Sequence, residues 1–240
     1  MAVEIHSSAS PFTHYVIDNF VTEEVAYELS SQFPDYNSPS WFEYNNPLER
    51  KRTIRDWGMF PPETYQLFYH LCGDQVGVIK NITGCRDLYA DPGLHGAGWH
   101  IHKRGDHLNV HLDYSIHPYA KLQRKYNLII YLTPDWDPSW GGGLELWSHN
   151  DTSKAPDVKV KTIECKFRRA VLFDTTQNSW HGLSEPITCP EGVYRKSIAM
   201  YYLTTPTENI DLRTRALYAP REDQKDSAEI IDLINRRKTL

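Results

Sequence analysis

No stretch of the 240-residue sequence approaches the roughly 18 consecutive apolar residues that a bilayer-spanning helix needs. The opening Met1-Ala2-Val3-Glu4 also lacks the basic flank and apolar run of a signal peptide, so a soluble, cytoplasmic protein with no membrane partner is expected. Cysteine is scarce. The four present, Cys72, Cys85, Cys165 and Cys189, form no CxxC pair, which excludes a cysteine-built zinc site and a dense disulfide framework and leaves reduced structural thiols. A basic excess is missing too: 26 Lys plus Arg stand against 31 Asp plus Glu, and a net charge of -5 offers no broad attraction to a phosphate backbone, so nucleic acid is not an expected partner. There is no internal repeat and no low-complexity linker. What is present, 40% hydrophobic and 24% charged residues, suits a chain that buries a core rather than a disordered one, and the length favours a single domain over 1–240.

Local patterns divide that length. Thr22, Glu23 and Glu24 precede apolar residues at Val25, Leu29 and Phe33, the stripe of an amphipathic helix that Pro34 stops. Residues 35–60 carry no period and read as irregular. A second helix is expected from Pro62 through Leu67, Leu71 and Val78 toward Gly84, with Gly73 and Gly77 as weak points. From Leu108 the texture becomes short β-branched and aromatic runs separated by Gly, Pro, Asn and Asp, read as strands at 108–114, 126–132, 143–147, 158–163, 169–173 and 194–203. A tail with a terminal helix from Ser227 follows. The fold class is therefore mainly β with flanking helices, around a jelly-roll, cupin-like core. Helical support is expected over about 1–100, the β core over about 101–205 and the tail over about 206–240.

Two residues apart in a strand, His111 and Asp113 point to the same face and can converge on one ion. A second imidazole from elsewhere would complete the two-histidine, one-carboxylate facial triad of non-haem Fe(II) oxygenases, which leaves coordination positions open; His181, in Ser-Trp-His-Gly, is the candidate. His149-Asn150-Asp151 repeats the pattern but lies in a polar stretch that reads as a loop. His100-Ile101-His102 could itself hold a metal, although hydrogen-bonded or partly exposed histidines are the simpler reading for His100, His102 and His107. With three protein ligands, O₂ activation needs an electron source. 2-Oxoglutarate can chelate iron and supply electrons by decarboxylation, and its far carboxylate then needs a cation. Arg195 heads an apolar strand and offers a planar fork matched to a carboxylate, with Ser197 on the same side; the competing reading has Arg195 capping the strand in solvent and Lys196 pointing inward. Asn127 and Tyr131 share a face of an otherwise apolar strand, as ligand-lining groups or as an internal hydrogen-bonded pair.

Together, Gly105-Asp106 before His111-x-Asp113, the strand 127–132 with Asp135-Trp136, Gly142-Gly143-x-Leu, Trp180-His181-Gly182 and Arg195-x-Ser197 resemble the prolyl-4-hydroxylase-like branch of the 2-oxoglutarate and Fe(II)-dependent oxygenases, in its bacterial and phage form. The resemblance covers Gly105 to Leu203. It implies a double-stranded β-helix core, iron ligands at His111, Asp113 and His181, and Arg195 pairing with the C5 carboxylate of 2-oxoglutarate with help from Tyr131; Ser197 and Asn127 are softer transfers. The chain departs where many relatives carry a Tyr shortly before the Gly-Asp pair and this one has His102 or a neighbour.

The activity implied is hydroxylation of an unactivated C–H bond with Fe(II), 2-oxoglutarate and O₂, ascorbate serving as reductant, and release of succinate and CO₂. A carboxylate at Asp113 argues against halogenation. The substrate is a peptidyl proline, or a small molecule such as an amino acid, a peptide natural product or a glycan precursor; oligomeric state is not readable. The rival readings are a nucleic-acid demethylase, a cupin-like metalloenzyme that does not use 2-oxoglutarate, and a non-catalytic binding barrel.

Overall fold

In the computed structural model, residues 2–208 and 210–239 are described. Two antiparallel strands, β1 (Glu4–Ser8) and β2 (His14–Asp18), lead into α1 (Glu23–Ser31), which begins where the Thr22 hydroxyl accepts from the Val25 amide and two acidic residues fill the first turn. Its buried face is Ala26, Leu29 and Ser30, so the expected stripe is rotated and Val25 is exposed. Residues 35–60 are not irregular throughout: β3 (Phe42–Asn46) and β4 (Glu49–Ile54) form a hairpin closed by Pro47 and Leu48. The run Glu49-Arg50-Lys51-Arg52 has no strand-like apolar pattern and is held extended by neighbours on both sides, a pairing that no local signal announces.

The helix expected to run from Pro62 to Gly84 is two helices, α2 (Pro62–Cys72) and α3 (Gln75–Thr83). The break falls at Gly73, whose N–H closes α2 on the His70 carbonyl, and Gly84 ends α3 in the left-handed region. Val78 faces outward; Phe68, Leu71 and Ile79 are the buried apolar positions. The short β5 (Tyr89–Ala90) and β6 (Gly98–His102) follow. The first hundred residues thus contribute strands as well as helices.

The strands read from the sequence are present as β7 (Leu108–Leu112), β8 (Gln123–Tyr131), β9 (Leu144–Asn150), β10 (Ala155–Ile163), β11 (Ala170–Asp174) and, after a three-residue β12 (His181–Leu183), β13 (Arg195–Thr204). His149 and Asn150 end β9 rather than lying in a loop, because β10 pairs with them. A two-residue β14 (Leu217–Tyr218) and α4 (Ala228–Thr239) complete the tail. All pairings are antiparallel, in the order β1-β2-β11-β8-β13-β6-β4-β7-β12-β9-β10, with β14 on β7, β3 on β4 and β5 on β13. The sheet curls into a jelly roll, mainly β with helices outside.

Alternation along the central strands sorts side chains between two cores. Leu128, Ile130, Ile198, Met200 and Tyr202 meet Leu29, Phe68, Leu71 and Ile79 of the helices, whereas Tyr131, Leu146, Val171, Phe173 and Leu183 pack in a second cluster. Gly98 allows β4 and β6 to close on one another: its φ is +98°, and a Cβ there would lie 2.1 Å from the Ile54 carbonyl oxygen. Gly98→Ala is accordingly expected to cost about 2 kcal/mol or more. Urea unfolding checks this, and an unchanged midpoint would contradict the close approach.

Candidate metal and cosubstrate site

The register of β7 with β12 sets His181 directly opposite His111, bringing their ring centroids to 4.3 Å. Asp113, one residue past the end of β7, completes the cluster: its two carboxylate oxygens lie 3.5 Å from His111 Nε2 and 3.9 Å from His181 Nε2. All three residues are buried, and one ligand atom from each lies within 4.8 Å of the others. The rings are fixed from behind. His111 Nδ1 donates to the Asn109 carbonyl at 2.9 Å and His181 Nδ1 to the Ser179 carbonyl at 2.8 Å, which leaves both Nε2 lone pairs aimed at the common point. Tyr218 of β14 stacks on His111 at 5.3 Å.

Burial pushes the Asp113 carboxyl up, but the neighbouring His181, His111 and Arg124 side chains outweigh it and hold the group below the usual carboxylate range. Burial, reinforced by His111, pushes His181 down to about 4. Neutral imidazoles beside an ionised carboxylate are the states in which all three can ligate a metal. Asp113 is further oriented by the Tyr201 hydroxyl at 3.1 Å and the Asn127 amide at 3.4 Å, while Arg124 is sandwiched between the rings of Tyr114 and Tyr201 at 3.3 and 3.4 Å. Asn127 therefore sits against Asp113, bonded also to the Tyr201 hydroxyl at 2.9 Å, and not beside Arg195. Arg124 and Tyr201 were not singled out from the sequence. The signal for Tyr201 was the alternation Arg195, Ser197, Ala199, Tyr201; Arg124, at the polar start of β8, had none.

Arg195 points inward and is 3% exposed, which excludes the solvent-cap reading. Its Nε donates to the Gly142 carbonyl at 2.7 Å and lies 3.1 Å from Cys165 Sγ, one terminal nitrogen donates to Ser197 Oγ at 3.2 Å, and the guanidinium carbon is 5.0 Å from the Tyr131 ring centre. Among the described residues no carboxylate pairs with it. The Tyr131 hydroxyl, also buried, faces Arg195 but makes no hydrogen bond of normal geometry among the described residues. A buried cation with no counter-charge, beside an unmatched hydroxyl, fits an anionic ligand such as the far carboxylate of 2-oxoglutarate.

The other histidine motifs do not form such a cluster. Asp151 is an exposed side chain, and His149 accepts from Trp180 Nε1 at 2.9 Å. His107 bonds the Pro47 carbonyl at 3.2 Å, as the simpler reading of it required. His102 differs: it is 2% exposed, and neither ring nitrogen has a partner.

Two imidazoles and one carboxylate on one point are the ligand set that mononuclear non-haem iron oxygenases use. Residues 97–203 match the model of the 2OG-Fe(II) oxygenase superfamily, and the His111, Asp113 and His181 cluster falls within that stretch. The prolyl 3-hydroxylase OGFOD1 of Xenopus laevis is 29% identical over 106 residues, 42% of this chain and 20% of that protein, so the match spans about a fifth of the relative's length. A Pseudomonas putida prolyl-4-hydroxylase structure superposes with a TM-score of 0.56 at 15% identity, covering 81% of this chain and 93% of that one. A Trichoplax adhaerens prolyl hydroxylase, in complex with a hypoxia inducible factor peptide fragment, gives 0.54 at 18% identity, covering 80% and 83%. At these identities the two structures establish the fold. No helix among the described residues is long and apolar enough to cross a membrane.

Burial lowers the pKa of His14, His95, His100, His102, His107 and His181, with His100 pushed down to about 3. Below pH 6.5 the unfolded chain therefore binds protons that the folded chain refuses, so stability rises with pH across that window and is lost as pH falls. Urea unfolding of metal-free protein at pH 7.5 and pH 5, above the carboxylate range, should show the lower stability at pH 5. Equal or greater stability there would contradict the burial of neutral imidazoles.

Proposed function

We propose that this protein hydroxylates an unactivated C–H bond of a prolyl residue in a peptide or protein, in the cytoplasm, with 2-oxoglutarate and O₂ as cosubstrates and succinate and CO₂ as products. The observation that carries the reading is Arg195: a guanidinium inside the barrel without an acid partner among the described residues, with the buried Tyr131 ring 5.0 Å from it. His111, Asp113 and His181 would hold the metal, and Arg195, Ser197 and Tyr131 would hold the C5 carboxylate. Asn127 acts through Asp113 rather than on the cosubstrate. Iron(II), when bound there, supplies the redox chemistry that couples decarboxylation of the keto acid to oxidation of the C–H bond.

The chain's own residues provide three things. Asn109 and Ser179 fix the imidazole tautomers through their carbonyls, so that each Nε2 would face the metal. Tyr201, Asn127 and Arg124 hold the Asp113 carboxylate ionised and oriented. The apolar walls of Leu146, Phe173 and Leu183 exclude water from the reacting atoms. Substrate approach is assigned to the Asp113 side. Tyr114 and Arg124 both donate to the His95 carbonyl, and His95, Arg55, His117 and Tyr119 line a surface hollow of about 320 Å³. A prolyl residue is suggested by the hydroxylases that this chain resembles, and four free cysteines are consistent with a reducing compartment. The polar lining of the same hollow favours a second reading, hydroxylation of a small polar metabolite such as an amino acid, a peptide natural product or a glycan precursor.

His111→Ala and Asp113→Ala are expected to abolish metal binding and iron-dependent succinate formation while leaving the fold largely intact. Arg195→Ala should weaken the apparent affinity for 2-oxoglutarate by roughly ten- to a hundredfold, the worth of a charge-assisted hydrogen bond. Activity like wild type in the Asp113 variant would reject the assignment. Incubation with prolyl peptides and with metabolite pools, read by mass for a gain of about 16 Da (one oxygen atom from this chemistry), separates the two substrate readings.

A further inference from the structure

Strand β6 brings another imidazole to the Arg195 end of the barrel. Its register with β13 sets His102 opposite Arg195 and His100 opposite Ser197, and the register of β13 with β8 sets Ser197 opposite Tyr131. Directly opposed residues of antiparallel strands project to the same face, so His102 shares the inward face with Arg195, Ser197 and Tyr131. It is 2% exposed, and neither Nδ1 nor Nε2 has a hydrogen-bond partner. The contrast with His111 and His181 is chemical, since each of those is tied to a backbone carbonyl through Nδ1. An imidazole buried with both nitrogens unmatched costs stability that an apolar side chain would not. Across β13 the buried Tyr131 hydroxyl also lacks a hydrogen bond of normal geometry, and on β13 stands a guanidinium that no carboxylate pairs with among the described residues.

We infer that His102 binds the cosubstrate directly, donating a ring N–H to an oxygen of 2-oxoglutarate alongside Arg195. This rests on the proposed use of 2-oxoglutarate. The division of labour follows from charge. Burial and the adjacent Arg195 keep the imidazole neutral, so the pocket contains one cation and adds a directional donor without a second buried positive charge. A neutral imidazole has a single N–H, which makes the contact specific in direction and replaceable by the side-chain amide of glutamine.

The test uses the full chain loaded with Mn(II), titrated calorimetrically with 2-oxoglutarate under anaerobic conditions, for wild type, His102→Leu, His102→Gln and Arg195→Leu. Removing the donor in His102→Leu should weaken 2-oxoglutarate binding about tenfold or more, whereas His102→Gln should stay within about threefold, and Mn(II) binding should be unchanged in both. A purely structural role would lower stability; here the ligand-free Leu variant should unfold at the same or higher urea concentration than wild type while binding more weakly. The inference is overturned if His102→Leu binds 2-oxoglutarate within twofold of wild type while Arg195→Leu does not, or if the Gln variant fails as badly as the Leu variant. If Arg195→Leu binds as wild type does, or wild type binds none, the reading of the pocket as a 2-oxoglutarate site fails with it.

Discussion

The pairing of β7 with β12 is the constraint on which the rest depends. It places His111 and His181 face to face, and since side chains alternate along a strand, a slip of one residue would turn one imidazole out of the barrel. Three residues of β12 are too few to hold register alone. They are fixed by β9 on the other edge, where His181 stands opposite Leu146, and by Gly182, whose missing side chain admits β7: a Cβ there would lie 2.9 Å from both the Leu108 carbonyl oxygen and Val110 Cα. On the far side of β7, β14 pairs Tyr218 with His111. The triad is thus held by backbone pairing on every side, and only the carboxylate depends on side-chain contacts.

The two ends of the site solve opposite electrostatic problems. Around Asp113 the charge is matched within the protein, by Tyr201, Asn127 and Arg124, and the carboxylate is ready to ligate. Around Arg195 it is left unmatched among the described residues, with Tyr131 and His102 equally unmatched beside it. A buried site that is satisfied at one end and open at the other fits an elongated dianion that bridges them, metal-bound at one end and guanidinium-bound at the other.

Much of the core was legible because its strands are short β-branched and aromatic runs punctuated by turn residues: β7, β8, β9, β10, β11 and β13 all fall close to where those runs put them. The three triad residues were legible as types and order, whereas the place of Arg195 at the head of an apolar strand allowed both an inward and a solvent-capping side chain, and only the strand pairing decides between them. Elements fixed by distant pairing were not. β4 is a charged run, β6 carries two histidines among Gly, Trp and Ile, and β12 is too short to show a period. Asn127 and Tyr131 share a strand face, yet four residues carry Asn127 along the strand to the Asp113 end, a distinction that a face assignment cannot make. His102 could not be told from an ordinary surface histidine until its register with Arg195 was known.

The most direct measurement is a crystal structure of the protein grown anaerobically with Mn(II) and 2-oxoglutarate, with anomalous scattering used to locate the metal. The account predicts one ion bound by His111 Nε2, Asp113 and His181 Nε2, chelated by the keto acid, whose far carboxylate reaches Arg195. A metal held elsewhere, or a 2-oxoglutarate whose distal carboxylate avoids Arg195, would contradict it.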